Sequence, residues 1–285
     1  MIDVNCVPCF QKQAARLFEK YNIPEKRREV LSERFNDFLS KDGFDKPSPL
    51  SVQFLNVLMK KETGIEDLYL KEKSFYNKLL MERYQAMKGD VESSDNPAMI
   101  ALKYALAGNI IDFGPPRRFD IEKTFSEALE KKIAVNDSDA LFKAIRNAGT
   151  VLYLGDNAGE IVTDKLFIET LTHPGVIFAV RGGPVLNDVT YADAEEVGMQ
   201  EVATVIENGF DAPSTLPEYC SDEFRDIFNS ADVVISKGQG NFEGLYGQVK
   251  KKNIFFLFMV KCEGIARVTG RNVGDAVIMK GAWQS

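Results

Sequence analysis

The sequence has one histidine, His173, next to Pro174 in a stretch that reads as a loop. A Ser-His-Asp triad or a Cys-His pair would have to be built on that residue, and neither is supported. Cysteine is also scarce. Cys6 and Cys9 form a C-x-x-C, but Cys220 and Cys262 stand apart and complete no paired zinc motif. A disulfide scaffold is not expected in a chain of 285 residues. There is no excess of positive charge: the formal net charge is −7. Such a chain repels polyanions, so a nucleic-acid partner is not expected. A small anion stays compatible, because one bound divalent ion can reverse the field in a single cleft. Long apolar runs are missing too. The longest, Ile254 to Val260, is too short to cross a bilayer. The opening MIDVNCVPCF lacks a basic region followed by an apolar stretch. The expectation is a cytoplasmic protein without a membrane partner.

What is present is ordinary globular material. Hydrophobic residues make up 45% and charged residues 27%, enough for a sizeable core in one large domain or two modest ones. The first half reads as helical. Residues 17–40 carry apolar residues at helical spacing with an interruption near Pro24, and residues 51–64 run from a plausible N-cap to a Gly stop. DLYLKEKSFYNKLLMERYQAMKGD reads as one long amphipathic helix and NPAMIALKYALAGNIIDFG as another, with no strand-like run in this half.

The pattern changes at Thr150. TVLYLGDN, GVIFAVRGG, EVATVIENG, DVVISKGQGN, NIFFLFMVKC and DAVIMKG read as strands, with helical segments between most of them. Alternation of this kind predicts an α/β protein with a parallel, doubly wound sheet covered on both faces. The chain is therefore divided into a helical region, residues 1–149, and an α/β domain, residues 150–285.

In such a sheet, ligands bind beyond the carboxyl ends of the strands. The first strand delivers Gly155, Asp156 and Asn157. The second delivers Arg181, Gly182 and Gly183, then Asn187 and Asp188. The fourth delivers Lys237, Gly238, Gln239, Gly240 and Asn241, and the fifth Lys261. Asp156, Asn157 and Asp188 offer hard oxygen donors suited to Mg²⁺ or Mn²⁺. The same residues also fit a turn with an Asp–Asn N-cap, and Asp188 a cap of its own. The glycines at 238 and 240 suit an anion nest, with Lys237 neutralising phosphate charge, although a glycine-rich turn is common and no Walker A order is present. Lys261 would face the cleft or end a solvated strand. Asn109 and Asp112, at the end of a helix, would reach over the site or cap that helix.

At these residues the sequence resembles the damage-control phosphatases, the ARMT-like family long filed as a domain of unknown function. GDNAGEIVTDKL, RGGPVLNDVT, SKGQGNFEG and MVKCEG carry the resemblance, in the family's order, and CVPC and AGNIID resemble its archaeal and bacterial branch. The resemblance runs from Cys6 to about Gly270. It implies a helical region packed on a Rossmann-like α/β/α domain. It implies metal ligands at Asp156, Asn157 and Asp188, a phosphate-contacting loop at Lys237, Gly238, Gln239, Gly240 and Asn241, and a cleft lysine at Lys261. Asn109, Glu160 and Arg181 complete the expected substrate contacts. The implied cofactor is a divalent metal (Mn²⁺, Ni²⁺, Co²⁺ or Mg²⁺), and the implied substrate a small phosphorylated metabolite. One departure stands out: sugar-phosphate branches carry an Asp-Leu-Asn-Tyr-Arg-like loop where this chain has Gln239 to Glu243. The missing arginine weighs against fructose-phosphate-type specificity.

The expected chemistry is phosphoester hydrolysis by metal-activated water, with Asp156, Lys237 and Lys261 as catalytic residues. Asp156 has a second role open to it, as a covalent nucleophile. Two rivals remain. G-D-N-A-G loosely mimics an S-adenosylmethionine-binding glycine loop, but Arg181 stands where a ribose-gripping acid belongs. A non-catalytic metal- or metabolite-binding module is the other.

Overall fold

The structure is a computed structural model that describes residues 6–43, 46–109, 121–248 and 253–281. Helices α1 (Val7–Lys20), α2 (Glu25–Phe38) and α3 (Pro49–Thr63) come first, with the chain broken at Pro24 as expected. Helix α3 starts on a proline and stops at Gly64, whose φ of 69° is left-handed. The segment expected to be one long helix is two, α4 (Leu70–Met81) and α5 (Tyr84–Glu92), parted by a turn at Glu82 and Arg83. Helix α6 (Pro97–Gly108) is capped by the Asn96 side chain, which accepts from the Met99 amide. Helix α7 (Ile121–Glu130) follows. Asp112 lies outside the described residues.

The sheet elements are β1 (Val135–Asn136), α8 (Ser138–Arg146), β2 (Val151–Leu154), α9 (Glu160–Leu171), β3 (Val176–Val180), α10 (Tyr191–Glu196), β4 (Thr204–Glu207), α11 (Asp222–Ser230), β5 (Val233–Lys237), α12 (Gly238–Leu245), β6 (Ile254–Met259), α13 (Glu263–Thr269) and β7 (Ala276–Lys280). They build a seven-stranded sheet in the order β1-β7-β6-β5-β2-β3-β4. The expected parallel sheet holds for β4 through β6, but β7 runs antiparallel to β6, and the two-residue β1 pairs with β7. The expected strand through Asn241 ends at Lys237, and the glycine-rich segment after it is α12 rather than an open turn. The fold class, α/β with helices on both faces, is as expected.

Strand residues alternate between two cores, as period-two geometry requires. Val151, Tyr153, Phe255 and Leu257 face the first, with α6 and α9, while Leu152, Leu154, Phe256 and Phe258 face the second, with α11 and α12. Helix α6 lies tightly on α9: a Cβ on Gly108 would sit 2.3 Å from Thr163 Oγ1. Residues on both sides of position 149 share the first core, since Leu102, Ala105 and Leu106 join Ile161, Leu166 and Val151 there. Truncating one of these buried leucines to alanine costs about 2–5 kcal/mol. Helices α1 to α3 enclose a third cluster around Leu17, Leu31, Phe35 and Met59, with Leu186 packed against it.

Candidate active site

Strand β2 lies between β5 and β3, so the chain leaves it to one side through β3 and β4 and to the other through β5 and β6. Loops diverge from such a switch point and open a crevice at the strand ends. Asp156 and Asn157 follow β2 there. The loop after β3 folds back on them: Val189 N donates to Asp156 O at 2.9 Å, Ala158 N donates to Asn187 O at 2.9 Å, and Asn157 and Asp188 form an isolated antiparallel bridge. That bridge is why Asp188 meets the β2 end although it lies on another loop. Leu186, just before it, adopts a left-handed φ of 45°, a conformation a branched side chain rarely takes.

Asp156, Asn157 and Asp188 line one cavity of about 290 Å³, together with Asn187, Gln239, Gly240, Glu243 and Lys261. The helical region closes it with Phe10, Ser48, Pro49 and Val52. Asp156 and Asp188 are buried. Asp156 Oδ2 accepts from Asn109 Nδ2 at 3.0 Å and from Asn157 Nδ2 at 2.7 Å. Asp188 Oδ2 accepts from Arg181 Nε at 2.7 Å. Each carboxylate keeps its Oδ1 without a hydrogen bond among the described residues. Arg181 Nη2, also without one, lies 3.7 Å from Asp156 Oδ1.

These carboxylates are short of positive charge. Burial, then the nearby Glu160 and Asp188 charges, pushes the Asp156 carboxyl up to about 8, against the pull of Lys261 and Arg181. Burial also raises Asp188, with Arg181 opposing. A hard divalent cation would restore both to the ionised form, so the donor set fits one. Among the described residues no group of three or more His, Cys, Asp or Glu is arranged around a metal; the candidate set here is two carboxylates and a carboxamide.

Several expected contacts lie behind the cavity wall rather than on it. Lys237, expected to neutralise phosphate, is fully buried and points the other way: Nζ reaches Glu160 Oε1 at 2.6 Å, Asp164 Oδ1 and Ala105 O at 2.9 Å. Strand parity explains this, since Val233, Ile235 and Lys237 share the face that α6 and α9 cover. Burial alone would lower the Lys237 pKa, but Asp164 and Glu160 override it and raise it. Burial pushes Glu160 up, but Lys237 and the Asn109 and Asn157 amides hold it below the usual range, while Asp164 is pushed up to about 7 by burial against Lys237.

Glu160, Asn109, Arg181 and Asn241, all expected to touch substrate, are buried scaffold as well. Glu160 Oε2 accepts from Asn109 and Asn157, both at 2.9 Å. Asn241 Oδ1 accepts from Arg181 Nη1 at 3.0 Å and from Thr215 N at 2.7 Å, while its amide donates to Gly155 O at 3.1 Å and Lys237 O at 2.8 Å. Gly238 touches Asp156 rather than the cavity; Gln239, Gly240 and Lys261 do line it. The sequence reading passed over Asn77, whose Oδ1 accepts from Gly159 N at 2.6 Å, and Glu243. Glu243 had a signal: it lies four residues after Gln239, one helical turn along the same face.

The family model of the damage-control phosphatase ARMT1-like domain matches residues 2–277. The chain belongs to this family. Its relatives include the Methanocaldococcus jannaschii protein MJ0202, 33% identical over 231 residues that cover 78% of this chain and 76% of that one. A protein named damage-control phosphatase from Archaeoglobus fulgidus is 33% identical over 221 residues, 75% of this chain and 76% of its own. Damage-control phosphatase PH1575 of Pyrococcus horikoshii is 36% identical over 187 residues, 64% of each chain. A crystal structure described as a DUF89 family protein, ph1575 from the same organism, superposes with a TM-score of 0.88 at 27% identity, covering 99% of both chains. The activity named for this family is that of a phosphatase, a hydrolysis. No described helix is long and apolar enough to cross a membrane.

Proposed function

We propose that the chain is a divalent-metal-dependent phosphomonoesterase of small phosphorylated metabolites, with Asp156, Asn157 and Asp188 holding the ion. The observation that carries this reading is the meeting of two buried, charge-deficient carboxylates and a carboxamide in one cavity at the sheet's switch point, with Lys261 on the same wall. When bound, the ion supplies Lewis-acid polarisation of a phosphoryl oxygen and lowers the pKa of water.

The chain's own residues do the rest. Lys261 balances charge that develops on the phosphoryl oxygens. Arg181 fixes Asp188 in place through its 2.7 Å contact and spreads positive charge towards Asp156. Asn109 and Asn157 hold Asp156 Oδ2, so its other oxygen is presented in one orientation. Lys237 acts at one remove: it anchors Glu160, which accepts from both of those amides. Phe10, Pro49, Val52 and Leu186 restrict water around the reacting phosphate.

The test is phosphate release from a panel of phosphorylated metabolites, with Mn²⁺, Co²⁺, Ni²⁺ and Mg²⁺ added in turn to chelator-treated protein. Release only with an added ion is the expected result. Undiminished release after complete chelation overturns the metal requirement. No release under any condition overturns the phosphatase reading in favour of a non-catalytic binding module.

A further inference from the structure

The active-site cavity carries a carboxylate that the proposed chemistry does not use. Glu243 lines the cavity from α12, beyond Gly238 by a helical rise of about 7.5 Å. Two hydrogen bonds fix it. Ser48 Oγ, from the loop ahead of α3, donates to Oε2 at 2.6 Å, and Gln239 Nε2 donates to Oε1 at 2.8 Å. Gln239 Oε1 in turn accepts from Lys261 N at 2.9 Å. The carboxylate is thus clasped between the helical region, α12 and the end of β6. Each of its oxygens has two acceptor directions, so each retains one for a bound molecule.

We infer that Glu243 determines specificity: it selects phosphomonoesters whose organic part offers hydroxyl or ammonium donors, and rejects those with a second anionic group. The inference rests on the phosphatase reading. Gly238, the first residue of α12, abuts Asp156, and Glu243 further along α12 lines the same cavity, so an organic part leading from a phosphate at Asp156 and Asp188 along α12 comes to Glu243. A hydroxyl or ammonium there makes a charge-assisted hydrogen bond. A carboxylate or second phosphate meets like charge there, and specificity built on such repulsion is general. Lys261 is the one lysine or arginine lining the cavity among the described residues, and the phosphate itself draws on it.

The test compares glucitol 6-phosphate with 6-phosphogluconate, two open-chain molecules that differ only at the carbon far from the phosphate, where a carboxylate replaces a hydroxymethyl group. The generic substrate p-nitrophenyl phosphate reports phosphatase chemistry separately. Wild type, Glu243→Gln and Ser48→Ala are assayed with Mn²⁺. Wild type should favour glucitol 6-phosphate in kcat/KM by about tenfold or more, and Glu243→Gln, which keeps the shape but removes the charge, should bring the ratio close to one. Ser48→Ala, which keeps the charge, should retain the preference. Equal ratios in wild type, or a ratio that Glu243→Gln leaves unchanged, overturn the inference while p-nitrophenyl phosphate turnover keeps the phosphatase reading intact. Absence of turnover on all three substrates in wild type overturns both.

Discussion

The Asp156 carboxylate occupies the space that a side chain at residue 238 would need: a Cβ on Gly238 would lie 1.9 Å from Asp156 Oδ2. Gly238 also has a φ of +78°, which disfavours any other residue. The end of β5 and the end of β2 are thereby locked together, and the Asp156 orientation depends on a missing side chain.

Gly238→Ala should therefore lower kcat/KM by about 100-fold, since a displacement near 1 Å at a catalytic group has that effect. The strained backbone should also cost about 1–3 kcal/mol of stability. Steady-state kinetics with Mn²⁺ and urea unfolding measure the two effects. Wild-type kinetics in this variant would contradict the close packing of the two residues.

Asp156→Ala and Asp188→Ala should each lower phosphate release by about 100-fold or more and reduce the metal content of the purified protein. Asp188→Ala should be the less stable of the two, because it leaves the buried Arg181 guanidinium without its 2.7 Å partner. Elemental analysis beside the kinetics checks both. Full metal content in either variant removes that residue from the ligand set.

Lys237→Met should destabilise the fold by about 3–5 kcal/mol, because it strands Glu160 and Asp164 in the core. Urea unfolding measures this. A lysine that bound substrate would give the opposite pattern, an unchanged midpoint with a raised KM.

Asn109→Ala should lower kcat by about tenfold with KM nearly unchanged, the signature of a residue that orients a catalytic group instead of binding substrate. Its amide reaches Asp156 and Glu160, and its Oδ1 accepts from Met259 N at 3.2 Å, so it ties α6 to the ends of both β2 and β6. A raised KM at constant kcat would restore the substrate contact expected from the sequence.

Much of the site's wall was legible from position alone. Asp156, Asn157, Asp188, Gln239, Gly240 and Lys261 follow strand ends, and all of them line one cavity. Arg181 and Asn241 follow strand ends too, yet they stand behind the wall, as do Glu160 at the start of α9 and Asn109 at the end of α6. A strand-end position says that a residue is near the crevice; whether its side chain enters it depends on which neighbours supply partners. Lys237 is the clearest case. Its parity with Val233 and Ile235 was present in the sequence, but the carboxylates that make its burial tolerable come from α9, and their proximity is tertiary.

The sequence by itself determined the alternation of strands and helices after Thr150, the apolar strands covered on both faces, and the polar residues at strand ends, because these follow from local periodicity and turn chemistry. Strand direction was decided only in three dimensions. The antiparallel β7 and its short partner β1 depend on how the chain after β6 turns back, and no residue pattern within a strand encodes its neighbour's direction. The pairing of Asn157 with Asp188, the burial of Lys237 between Glu160 and Asp164, and the clasp of Glu243 by Ser48 likewise join residues far apart in the chain. Such contacts form only once the packed sheet and helices have placed both partners.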